Sequence, residues 1–168
     1  MFRSTDHAKS FVRITPLTLD PNQGPSRLII SGDGDTVYYA TPANQLFCSL
    51  DGGDTFPLQS TLPTQTQQFA IDPDNAAVLY ATAGFNFLKS MDHGAHWTAL
   101  PKPASGSVLV TALLVVRGTP NTLWLETSGG LFSTTNDGAT WTPSRRMSQL
   151  IWSPIAGTKG VLLLRTSV

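Results

Sequence analysis

The chain has 168 residues, of which only 13% are charged, with eleven Lys plus Arg balancing eleven Asp plus Glu, and it carries a single cysteine. That length suffices for one domain with a sizeable core. The composition excludes an intrachain disulfide and a Cys-rich zinc site, and it lacks the basic stripe that a nucleic-acid partner needs to neutralise phosphates. The longest apolar run, 108–116, is of strand length and broken by Thr111, far from the roughly 18 residues of a membrane helix. Membrane insertion is therefore not expected. The opening residues show no signal-peptide apolar stretch, which leaves the compartment open.

In chain order, short β-type runs alternate with turn-forming residues and no segment keeps a helical period. Residues 2–4 and 10–14 flank a first turn, and a Pro/Gly/Asn-rich connector follows at 15–26. Strands are expected at 27–31, 36–40, 45–48 and 55–59, then at 67–71, 78–82, 87–89 and 96–100. A third set is expected at 112–116, 122–126, 130–133 and 140–144, with a final pair at 149–153 and 161–165. Three groups of four strands thus lie between two half-groups.

One eight-residue pattern punctuates the groups. It starts at Ser4, Ser49, Ser90 and Thr134, at intervals of 45, 41 and 44 residues. A hydroxyl residue opens it, an acid or amide follows two positions on (Asp6, Asp51, Asp92, Asn136), then a glycine (Gly53, Gly94, Gly138), and an aromatic closes it (Phe11, Phe56, Trp97, Trp141). Thr55 and Thr140 fill the penultimate slot in two copies. The acid or amide can accept hydrogen bonds from backbone N–H groups of its own turn, and glycine tolerates positive φ there. The pattern reads as a hairpin turn, with the closing aromatic packed between neighbouring groups. Ala8 in place of glycine, Asn136 in place of Asp and His96 in place of a hydroxyl should make their copies looser or reshaped.

Four strands every 40 to 45 residues is the blade of a β-propeller. The expected architecture is all-β, one propeller domain over 1–168, with a partial blade at 1–14, blades at 27–59, 67–100 and 112–144, and a partial blade at 149–165. Joined, the end pieces would make one further blade, four blade-equivalents in all, which would leave no open sheet edge. Two chains joined in an eight-bladed ring as a homodimer, and a fragment of a larger propeller, stay open as well.

At these boxes the chain resembles the Asp-box propellers, also called bacterial neuraminidase repeats, over essentially its whole length. The resemblance implies a structural box on the face opposite the ligand. Its members include sialidases, xyloglucan-cleaving hydrolases, sortilin-type receptors and photosystem assembly factors, and many are exported.

Strand parity also puts the boxes on one face and the 42–44, 83–86 and 128–129 loops on the other. Those loops are mostly uncharged, so protein or neutral glycan is the expected ligand, with Phe85, Asn86, Asn44 and Arg145 as candidate contacts. Eliminating acids held in boxes and turns leaves Asp20 and Glu126 as the only weak catalytic candidates, too few to assign the paired carboxylates of a glycosidase. The expected function is therefore non-catalytic binding, with part of a glycoside hydrolase as the alternative. No metal or cofactor is expected: His93 and His96 lie in a turn with no third ligand near in sequence.

Overall fold

The computed structural model describes residues 2–4, 6–13, 27–63, 66–103, 109–118 and 121–144, together with the backbone of 149–153 and 161–165. Sixteen strands form five antiparallel sheets. The first sheet is the hairpin β1 (Phe2–Arg3) and β2 (Val12–Arg13). Three four-stranded blades follow, each a meander. They comprise β3 (Arg27–Ile30), β4 (Val37–Ala40), β5 (Gln45–Ser49) and β6 (Leu58–Thr61); β7 (Thr66–Ile71), β8 (Leu79–Ala83), β9 (Asn86–Ser90) and β10 (Thr98–Leu100); and β11 (Val110–Val116), β12 (Thr122–Thr127), β13 (Gly130–Thr134) and β14 (Thr142–Pro143). The last pair is β15 (Gln149–Ser153) and β16 (Val161–Arg165). No helix among the described residues is long and apolar enough to cross a membrane.

Among the described residues, the end pairs β1–β2 and β15–β16 each form a two-stranded sheet. The fourth strands begin later than the sequence pattern suggests: at Leu58, Thr98 and Thr142 in place of 55, 96 and 140. The cause is local. Thr55, His96 and Thr140 still donate their backbone N–H groups to the box side chains, so the ladder resumes only beyond them.

The second strands carry the core. Every residue of β4 and β8 is buried, because side chains alternate across the pleat and each face meets something apolar. Tyr38, Leu46, Leu79 and Ala81 join β4 and β5 to β8 in one cluster. Tyr80, Phe87, Leu123 and Leu125 join the middle blade to the following one in a second.

A common set of bonds recurs in every copy, from the hydroxyl residue to the acid or amide and from the fifth and seventh N–H groups to these two side chains. In the second, the Ser49 hydroxyl donates to Asp51 Oδ1 (2.6 Å) and accepts the Gly53 N–H (2.8 Å), while Asp51 accepts the N–H groups of Asp54 and Thr55 and the Thr55 hydroxyl. Ser90 and Asp92 repeat these bonds except that the Ala95 N–H goes to the Asp92 backbone carbonyl, with His96 Nδ1 against Asp92 Oδ2 (2.6 Å) where the hydroxyl would be. In the Asn136 copy the amide oxygen accepts the Thr134 hydroxyl and Thr140 N–H, and Nδ2 donates to Thr140 Oγ1. The first copy keeps the pattern as well: Ala8 N–H donates to Ser4 Oγ at 2.8 Å, with Ala8 at φ 64°. The His96 and Asn136 copies are thus reshaped, with the Ala95 and Ala139 N–H groups on backbone carbonyls, whereas in the first copy the departure from glycine leaves the hydrogen bonds intact. Its trace is the left-handed alanine, a conformation that costs an L-residue about 1–2 kcal/mol.

Boxes also lock onto the preceding blade. Arg3, just before the first box, donates to Gly52 O (2.6 Å) and pairs with Asp54 (2.6 Å) in the second. Lys89, just before the third, pairs with Asp137 (2.7 Å) in the fourth. Trp97 packs on the Tyr38 cluster, and Trp141 packs on Phe87 while donating to Pro101 O. Phe56 is buried against Val37 and Tyr39. Phe11, expected to pack in the same way, is 61% exposed, since no blade precedes it among the described residues.

Candidate functional site

The innermost strands β3, β7 and β11 all begin on the face opposite the boxes. There they line a cleft of about 560 Å³ together with the turn between β4 and β5. Two local irregularities shape it. In β7 the ladder passes from Thr66 to Gln68, and in β11 from Val110 to Ala112, leaving Gln67 and Thr111 as bulge residues. A bulge bends its strand and re-aims the extra side chain, and both bulged residues border the cleft.

Arg27, the first residue of β3, supplies its cation. Its Nη1 donates to Gln68 Oε1 across the blade boundary at 2.8 Å. Burial pulls the guanidinium below its ordinary pKa, the direction expected when a charge loses water. Gln67 Oε1 is buried with no hydrogen-bond partner among the described residues. The described lining contains no carboxylate.

Asn44 reaches this cleft from the β4–β5 turn, held at φ 61° with its N–H donated to Thr41 O and its carbonyl accepting Leu62 N–H. Phe85 and Asn86 lie on the same face, in the turn after Ala83, which is the ladder partner of Thr66 at the cleft. Phe85 is half exposed. Its carbonyl accepts Lys102 Nζ at 2.8 Å, and that ammonium sits 5.9 Å from the ring centre. Glu126 lies on β12 opposite Ala112 and Leu131, half-buried, and its backbone carbonyl accepts the Thr111 hydroxyl. Asp20 and Arg145 fall outside the described residues.

Arg27, Gln67 and Gln68 were not singled out by sequence reasoning. The available signal was positional. Arg27 and Gln68 each fall 22 residues before their box hydroxyl, and Gln67 and Thr111 each fall 23 before theirs. Equivalent positions in a propeller face one axis.

No family model matches the chain, and no curated protein matches it in sequence. Solved structures do. The GH74 enzyme of Niastella koreensis is 21% identical, with a TM-score of 0.68 over 99% of this chain and 25% of its own. The GH74 xyloglucanase of Xanthomonas campestris is 18% identical, with a TM-score of 0.64 over 86% of this chain and 21% of its own. YCF48 bound to D1 peptide is 17% identical, with a TM-score of 0.59 over 98% of this chain and 55% of its own. The fold is that of the Asp-box-like propellers. The chain spans about a quarter of the length of the hydrolases and about half that of the peptide-binding protein.

Proposed function

We propose that this chain is a non-catalytic propeller module that binds a segment of a partner protein in the cleft opposite the Asp boxes. The observation that carries the reading is the cleft itself, formed where two equivalent bulges and the Asn44 turn meet around a desolvated arginine. Amide, hydroxyl and guanidinium groups offer hydrogen bonds to a polypeptide backbone, and no described lining residue supplies an acid or base for bond cleavage. The likeness to a propeller solved with a peptide supports this reading.

A second reading, part of a glycoside hydrolase, is favoured by the likeness to GH74 enzymes and by Glu126, which lies on the strand beside the cleft. A neutral polysaccharide would then be the ligand. The deciding experiment exposes the intact chain to a peptide array and to xyloglucan oligosaccharides. Peptide capture weakened by Asn44→Gly, which keeps the left-handed turn unstrained, and by Phe85→Ala, at unchanged thermal midpoint, supports the module. Xyloglucan cleavage abolished by Glu126→Gln overturns it.

A further inference from the structure

Resting on that reading, we infer that the cleft is selective for a carboxylate, carried by an extended peptide and received by Arg27. The guanidinium spends Nη1 on Gln68 and faces no acid among the described residues. Its remaining N–H groups form a planar fork suited to two carboxylate oxygens. Arg3, Lys89 and Arg117, by contrast, are each paired with an aspartate. A partly buried cation with no counter-charge among the described residues is costly, and an incoming anion recovers that cost.

The choice of anion follows from the charge count. One cation amid amides and hydroxyls matches a single negative charge, whereas phosphate sites gather several cations or a helix N-terminus. The choice of carrier follows from Gln67. Its Oε1 is buried without a partner among the described residues, and a turn of this side chain into the cleft it borders would bring the acceptor to a peptide N–H next to the carboxylate. Gln67 and Arg27 occupy adjacent blades joined by the Arg27–Gln68 bond, so acceptor and cation lie on neighbouring strands.

The test uses the intact chain and a fluorescent decapeptide library. Each sequence is present with Glu or Gln at one central position and with a free or an amidated C-terminus, which separates side-chain from terminal carboxylates. Captured peptides should weaken about 10- to 100-fold when the responsible carboxylate is neutralised, the scale of one charge-assisted hydrogen-bonded pair. Arg27→Gln should erase that discrimination. Because this substitution also alters the Gln68 bond, glutarate and glutaramide are compared as competitors on the unchanged chain, where only glutarate should displace peptide. Binding that ignores carboxylates, with no displacement by glutarate, overturns the inference while leaving peptide binding in the cleft intact. Polygalacturonate bound in preference to every peptide overturns the peptide carrier. Capture of no peptide at all overturns both readings.

Discussion

Tyr80 in β8 donates its hydroxyl to Asp137 Oδ1 in the next blade's box at 3.0 Å, and Lys89, its ladder partner in β9, holds Asp137 Oδ2 at 2.7 Å. One blade earlier, the Tyr38 hydroxyl meets His93 Nδ1 at 2.8 Å and donates to Ala76 O at 2.6 Å. The Asx turn at each box is therefore also a plug in the neighbouring blade. Asp137 and His93 occupy the same box slot, at φ 54° and 59°, which aims their side chains backwards along the ring.

This plug should be measurable as coupling between blades. Tyr80→Phe and Asp137→Ala are each expected to cost about 1–2 kcal/mol, and the double variant less than their sum. Urea denaturation of all four forms checks it. Strict additivity would show that the contact contributes nothing between blades.

Hydrogen bonds within the boxes make stability depend on pH in acid. The Ser10 hydroxyl and neighbouring N–H groups lower Asp6 from 3.8 to about 2. The Ser49 hydroxyl and the His96 N–H are the leading causes that hold Asp51 and Asp92 lower still. Each folded carboxylate is depressed, so its contribution is complete above the unfolded value and fades as pH falls through the folded one. The urea midpoint should fall on going from pH 4 towards pH 2. Asp92→Asn should flatten that slope without abolishing folding, because Asn136 already fills the same slot with an amide.

Glycine is required in the third and fourth boxes for two separate reasons. Gly94 and Gly138 have φ of 86° and 81°, and a Cβ on them would collide with Leu46 of the preceding blade and with the Pro101 carbonyl, respectively. Gly138→Ala should cost about 2–4 kcal/mol, strain and overpacking together, since its obstacle is backbone. Gly94→Ala should cost less, because a leucine methyl can move. Ala8→Gly is the inverse case and should strengthen amide protection at Ser10, measured by hydrogen exchange, by relieving a left-handed alanine.

Cys48 is a structural thiol. It is 3% exposed, and burial pushes its pKa above the ordinary value, so native maleimide labelling at pH 8 should be at least about tenfold slower than in urea. Equal rates would mean that the blade opens readily around β5 in the native state.

Much of the fold was legible because repetition is a sequence property. Box positions, blade boundaries and the face carrying the boxes all follow from one turn motif and strand parity. The position of Asn44 and Phe85 on the face opposite the boxes follows from strand parity as well. Phe11 is exposed among the described residues because burial depends on a neighbouring blade, which a turn motif does not encode. The cleft was illegible for a related cause: Arg27, Gln67 and Gln68 look like ordinary strand residues until a blade boundary and a bulge bring them together.

By itself, then, the sequence determined what is local: which residues turn, which alternate, and which side chain satisfies which backbone N–H within eight positions. Those bonds span at most a few residues and need no partner blade. Only the tertiary structure decided what is shared between blades. The Tyr80–Asp137 bond, the glycines pressed on Leu46 and Pro101, and the pairing of Arg27 with Gln68 each join residues about 40 to 60 positions apart. Their energies arise from packing one sheet on the next, a distance no turn motif encodes.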